Sequence, residues 1–159
     1  MKININSVEF RNLFSFGNQW QRFDPNGITF ITGLNLNNNR RNYTGKSNLL
    51  NIFPFSIFGK VQGLNKSRMI NWKNRKNAES YVHFSKGENE YSIFRSIKPD
   101  ALKLFENGKE VSATGKKDLE NEIENEILAV ALSYFSFNSV YFSSNSSLFS
   151  LLSDRLAKS

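Results

Sequence analysis

The 159-residue chain is 39% apolar and 14% aromatic, with 15 phenylalanines, enough for one domain with an aromatic core. It has no cysteine and one histidine, His83, which excludes a disulfide framework, a thiolate metal site and a histidine-based zinc site. A net charge of +7 favours polyanionic partners, either nucleic acid or nucleotide phosphates.

Residues 1–6 alternate apolar and polar side chains as a strand does, without the continuous apolar run of a secretory signal, so a first strand over 2–10 and a cytoplasmic setting are expected. Residues 19–24 read as a second strand. The turn signal Asp24-Pro25-Asn26-Gly27 then leads into a third, 28–32. Thr44-Gly45-Lys46-Ser47 follows, and after it an apolar stretch that predicts a helix over 46–58, with Leu49, Leu50, Phe53 and Ile57 at helical spacing. Pro54 removes one backbone donor and is expected to kink that helix or limit its regular part, and Gly59 is its expected stop. Strand, turn, Gly-Lys-Ser and helix are the parts of a phosphate-binding loop, in which backbone N–H groups face a phosphate, Lys46 adds a point charge and Ser47 offers an oxygen to Mg2+. The spacing departs from the strict motif. Arg40 occupies the first glycine's place, and Gly33 is separated from Gly45 by eleven residues instead of four, an insertion of seven.

Lys60, Lys66, Arg68, Lys73, Arg75 and Lys76 lie within seventeen residues that include Trp72 and no acid, a pattern for a DNA-facing patch or a solvated basic loop. Three strands are expected next, at 79–84, 90–97 and 102–106. Asn107-Gly108 closes them into an antiparallel meander with Lys109-Glu110-Val111. Thr114-Gly115-Lys116-Lys117 is a helix start rather than a second phosphate loop, because no hydroxyl follows the lysines. Residues 116–132 then read as a helix with Leu119, Ile123, Ile127 and Ala131 on one face. Its acids Asp118, Glu120, Glu122, Glu124 and Glu126 read as a solvated face that suits the helix dipole. His83, inside an alternating strand, reads as structural. The apolar window 127–142 is broken by Ser133, Ser136, Asn138 and Ser139, falls short of the roughly 20 apolar residues of a membrane span, and reads as buried core.

The order of these pieces resembles one family. A strand ending in Phe10-Arg11-Asn12-Leu13, a phosphate loop, the stretch Ile52-Phe53-Pro54-Phe55-Ser56-Ile57-Phe58-Gly59-Lys60, a basic segment, a meander and an acidic helix are similar to the N-terminal half of an SMC-like ABC-type ATPase. Within it, the SbcC type and the large subunit of the phage recombination endonuclease are most similar. The resemblance implies an α/β fold of mixed α+β character, a P-loop ABC-ATPase-like N-terminal lobe with an antiparallel meander, lacking the C-terminal lobe. It divides the chain into strands, phosphate loop and helix (1–60), basic segment and meander (61–111), and a helical part leading toward a coiled coil (112–159).

The resemblance also implies ATP and Mg2+ as cofactors. Lys46 would bind the β and γ phosphates, Ser47 would ligate Mg2+, and Gly45 and Asn48 would belong to the loop and helix start. Arg11 and Asn12 would lie beside the base and phosphates, and Gly33 and Asn35 would match the start of the family's Gly-x-Asn-Gly-x-Gly-Lys-Ser loop. Lys66, Arg68, Lys73, Arg75 and Lys76 would face DNA. Implied partners are the C-terminal half of the same ATPase, a second head in a head-to-head dimer, a nuclease subunit and DNA, in a bacterial or phage-infected cell, with no membrane. Two departures stand out: the seven-residue insertion, and Ser143-Ser144-Asn145 where the family's Q-loop glutamine would fall. The carboxylate pair and the Ser-Gly-Gly signature of the family do not occur, and in the family both belong to the C-terminal half. The expectation is therefore an ATP-binding half-head, inactive until completed. The alternatives are a non-hydrolysing DNA- or protein-binding module on the same fold, and an unrelated phosphate-binding enzyme such as a small-molecule kinase.

Overall fold

A computed structural model of the chain describes residues 3–25, 30–39 and 44–127. Six strands form one sheet in the order β2-β1-β3-β4-β5-β6, every pairing antiparallel. They are β1 (Ile3–Arg11), β2 (Gln21–Phe23), β3 (Ala78–Lys86), β4 (Asn89–Ile97), β5 (Ala101–Glu106) and β6 (Lys109–Glu110). The predicted meander therefore forms, and β1 extends it: the N-terminal strand pairs with β3 along nearly its whole length.

Apolar alternation explains the sheet. In β3, Ala78, Ser80, Val82 and Phe84 are buried in strict alternation, and on β1 the core side chains are Val8 and Phe10, with Ile3 and Ile5 packed against them. Ile5 and Val8 are three apart, which would put them on opposite faces of an unbroken strand. A bulge between Ile5 and Ser7 resets the phase, so that Ile5 opposes Phe84 and Val8 opposes Val82.

The 13-residue helix α1 (Lys46–Phe58) lies against β1, β3 and β4, burying Ile52, Phe55, Ile57 and Phe58. Its predicted bounds are the observed ones. Pro54 does not end it: the helix continues to Phe58 and stops at Gly59, which adopts the left-handed conformation (φ 68°) that glycine reaches without a Cβ penalty. A short helix α2 (Lys66–Met69), capped by the Asn65 side chain, follows, and the chain then returns to the sheet. After the hairpin, α3 (Lys116–Asn121) begins where Thr114-Gly115 predicted a helix start, and passes into a π-helical turn, Glu122–Ile127. The remainder of the predicted 116–132 helix, the apolar window 127–142 beyond its first residue, and the segment 137–145 matched to the Q-loop lie outside the described residues.

One expectation is corrected. Residues 28–32 were expected as a strand leading to the phosphate loop; residues 30–32 have no regular structure, and Phe30 is 81% exposed, while 28 and 29 lie outside the described residues. A strand persists only where a neighbour accepts its ladder, and among the described residues both edges of β1 are already taken, by β2 and β3. β2 is also shorter than its predicted 19–24, at three residues.

Candidate phosphate loop and basic turn

The candidate phosphate loop lies at the start of α1. Gly45 is left-handed (φ 83°, ψ 10°) and turns the chain into the helix, with its carbonyl accepting the first helical bond from Leu49 N at 3.1 Å. A side chain at Gly45 would be strained by that φ and would also press on Ser15 Oγ, 3.0 Å from where its Cβ would lie. No acid occupies the first turn of α1. The N–H groups of that turn and the positive end of the helix dipole suit an anion. Lys46 Nζ donates to Thr44 Oγ1 at 3.3 Å, Ser47 is exposed in the first turn, and Asn48 Nδ2 donates to Ser15 Oγ at 3.0 Å.

The insertion closes on itself. Gly33 packs so tightly on the Thr44 side chain that a Cβ at Gly33 would overlap the Thr44 hydroxyl, so the two ends of the eleven-residue excursion meet. Within it, Asn35 organises a local turn: its carbonyl accepts from Asn38 N and Asn39 N, and its Oδ1 from Asn37 N at 3.0 Å. Residues 40–43, including Arg40, lie outside the described residues. The structure thus gathers Gly33, Gly45, Lys46, Ser47 and Asn48 at one place, whereas the Asn35 side chain caps its own loop.

Arg11 and Asn12, at the end of β1, have partners of their own. Arg11 donates from Nε to Glu79 Oε2 at 2.8 Å, directly across the β1–β3 pair, and its guanidinium lies 5.0 Å from the centre of the Trp20 ring. Asn12 is 1% exposed, with its amide fully engaged: Nδ2 donates to Asn18 Oδ1 (2.8 Å) and to the Asn77 carbonyl (3.1 Å), and Oδ1 accepts from Asn74 Nδ2 (2.6 Å). In this structure its side chain fastens the turn after β1 to the segment leading into β3.

That network was not foreseen. Asn71, 5% exposed, donates from N to the Asn12 carbonyl (2.8 Å) and from Nδ2 to the Phe14 carbonyl (3.1 Å), while its Oδ1 accepts from Lys73 N and Asn74 N. Asparagines at 71, 74 and 77 stand three apart, and that repeat was the only signal in the sequence. The basic residues divide accordingly. Lys66 and Arg68 sit on α2, where Lys66 pairs with Asp100 at 3.6 Å; Lys73, Arg75 and Lys76 are exposed on the turn that Asn71 holds, beside Trp72.

At the far end of α1 lies the most buried charge among the described residues. Arg95, 3% exposed, donates from Nε to the Ser56 carbonyl (3.2 Å) and from a terminal nitrogen to the Ile57 carbonyl (2.8 Å), and it pairs with Glu120 at 3.4 Å. Burial pushes the guanidinium below its ordinary value and Glu120 opposes the shift. The acidic run of α3 is therefore partly paired rather than only solvated: Glu120 meets Arg95, and Glu124 meets Lys60 at 3.5 Å. No group of three metal-ligating side chains occurs among the described residues, and no described helix is long and apolar enough to cross a membrane. His83 accepts a structural role, its Nδ1 2.7 Å from Ser92 Oγ across the β3–β4 pair.

No family profile matches the chain. Among curated proteins it is 29% identical over 140 residues to exonuclease subunit 2 of Enterobacteria phage T4, covering 86% of this chain and 23% of that protein. It is likewise 29% identical over 115 residues to a probable exonuclease subunit 2 of Escherichia phage T5, covering 70% of this chain and 18% of that one. The chain thus spans less than a quarter of the length of these relatives. Among solved structures, an SMC ATPase described for ATP-driven dimerization and DNA-stimulated activation superposes with a TM-score of 0.57 at 20% identity, covering 94% of this chain and 97% of that one. The recombination mediator protein RecF with ATP gives 0.50 at 18% identity, over 72% of this chain and 29% of that one. The fold is that of the N-terminal part of SMC-like ATPase heads.

Proposed function

We propose that the chain is the ATP-binding half of an SbcC-like DNA double-strand-break repair and recombination ATPase, which needs a C-terminal half for its Mg2+-binding carboxylates and signature motif. The observation that carries this reading is the start of α1: a left-handed Gly45 followed by Lys46 and Ser47 at an acid-free helix N-terminus, with the insertion pinched off where Gly33 meets Thr44. The donor set fits a phosphate chain. Backbone N–H groups of the first turn and the Lys46 ammonium supply positive potential, and the exposed Ser47 hydroxyl is a hard oxygen ligand of the kind Mg2+ takes. Ser47 would hold the Mg2+, which when bound would supply positive charge to the nucleotide phosphates. Ser15, reached by Asn48 and close to Gly45, holds the loop against the turn after β1.

Arg11 is the residue of β1 assigned to the nucleotide's neighbourhood, oriented by Glu79 and Trp20. DNA is assigned to Lys66, Arg68, Lys73, Arg75 and Lys76. Similarity to phage proteins named exonuclease subunit 2 supports a nuclease subunit as partner, and the SMC ATPase described for ATP-driven dimerization supports a head-to-head dimer, in a bacterial or phage-infected cytoplasm.

Calorimetric titration of Mg-ATP into the chain, with Lys46→Ala as control at fixed salt, tests this reading. Binding that disappears in the variant is the expected result. Heat that is the same for both proteins would overturn it. A second reading, a non-hydrolysing DNA-binding module, is favoured by the exposed cations beside Trp72; it expects DNA affinity that falls steeply with salt and ignores ATP.

A further inference from the structure

Trp72 is 77% exposed, although an indole is among the side chains that gain most from burial. The turn beneath it is nevertheless fixed. Asn71 accepts from the two N–H groups that follow Trp72, at Lys73 and Asn74, and its carbonyl accepts from Arg75 N at 2.9 Å. Arg75, held at positive φ (55°), returns its Nε to the Trp72 carbonyl at 3.2 Å. Asn74 is tied to Asn12, and Asn77 N to the Lys98 carbonyl at 2.8 Å. A turn anchored at 71, 74 and 77 presents one indole to solvent among Lys73, Arg75 and Lys76.

Charge decides what such an indole can meet. Between Lys60 and Asn77 there is no acid, and two acids outside that stretch are engaged, Glu79 by Arg11 and Asp100 by Lys66 and Lys116. An exposed aromatic face within a cluster of cations matches the two requirements of single-strand recognition: a stacking platform for a base and positive charge for the backbone beside it. A base paired within a duplex offers no free face; an unpaired one does.

We propose that Trp72 is the stacking platform for an unpaired base of a single-stranded or splayed DNA segment, with Lys73, Arg75 and Lys76 holding the adjoining phosphates. This rests on the assignment of DNA to the basic turn and adds which form of DNA that turn takes. The asparagine network pre-orders the turn, so that a bound strand meets a surface that need not be organised on binding.

The chain has two tryptophans, Trp20 and Trp72, so a Trp20→Phe variant reports on Trp72 alone. Its emission is followed while a 12-nucleotide oligo(dT) or a blunt duplex carrying the same number of phosphates is added at constant salt. The expected result is quenching by oligo(dT). In the otherwise unaltered chain, Trp72→Ala should then weaken oligo(dT) binding about tenfold and duplex binding less than twofold, with Trp72→Phe recovering most of the loss. Oligo(dT) bound with a salt-dependent affinity that Trp72→Ala leaves unchanged would overturn the stacking role while the DNA assignment stands; an indole used by a protein partner gives this outcome. Failure of both DNAs to bind at low salt would overturn the DNA assignment and the proposal together.

Discussion

Removing Arg95 should be among the most damaging single changes in the described part of the chain. Its guanidinium closes the last turn of α1, where the Ser56 and Ile57 carbonyls are buried and receive its N–H groups at 3.2 and 2.8 Å. Arg95→Ala strips both carbonyls of a charged donor and empties the space of the stem. With about 1.5–3 kcal/mol for each hydrogen bond to a charged group, the expected loss is roughly 3–5 kcal/mol. Glu120 contributes little of this, because its side chain is 41% exposed and regains water when its partner goes, so that solvent screening of the carboxylate leaves the pair worth about 0–1 kcal/mol. Urea unfolding followed by circular dichroism is the assay. For a slope near 2 kcal/mol per molar, the midpoint should fall by roughly 2 M. The double-mutant cycle with Glu120→Ala should show a coupling of less than about 1 kcal/mol. A loss under ~1 kcal/mol for Arg95→Ala would refute the carbonyl-closing role, and a coupling that accounts for most of the loss would show that the ion pair, not the helix end, is what Arg95 serves.

Shortening the insertion by deleting residues 36–42 should leave Mg-ATP affinity within about twofold, because Gly33 and Thr44 already bring its ends together; a clear rise in affinity by calorimetry would mean that the insertion distorts the loop. Asp100 is held below the ordinary carboxylate range by its hydrogen bond to Lys116, with Lys66 adding to the effect. A depressed carboxylate stabilises the fold above its unfolded value and loses that contribution as pH falls through the folded one. Asp100→Asn should therefore cost at most ~1 kcal/mol at pH 7, since the side chain is 52% exposed, and its gap from the unaltered chain in urea midpoint should narrow below about pH 4. A gap that widens on acidification would contradict the pairing.

The parts of this fold that were legible in the sequence are those whose information is local. The 46–58 helix was bounded by Gly45 and Gly59, two residues the backbone itself requires at positive φ, and both ends were read correctly. The meander was legible because alternation and the Asn107-Gly108 turn are short-range signals. The 28–32 segment failed because β-branched and aromatic residues state only that a strand is permitted; whether one forms depends on a neighbouring edge, which no short window contains. The β1 bulge failed for a related reason, since Ile5 and Val8 alternate correctly only once the register against β3 is known.

The polar interior was harder to read, and it governs how the two candidate sites are arranged. Hydrogen-bond partners such as Asn12 with Asn74 or Arg95 with Ser56 lie 62 and 39 residues apart in sequence. Arg11 and Asn12 were adjacent in the chain and were assigned together, yet successive residues after a strand diverge, one toward Glu79 on the sheet and the other into the asparagine network. The consequence is a physical link between the sites. The turn after β1 carries Ser15 against Gly45 and Asn48 at the phosphate loop, while its neighbours Asn12 and Phe14 hold Asn71 beneath Trp72 and the exposed cations. A shift of that turn by a few tenths of an ångström strains bonds at both ends at once, because neither buried asparagine has water to replace a lost partner. The short segment 12–15 is thus the shared support of the candidate phosphate loop and the basic turn.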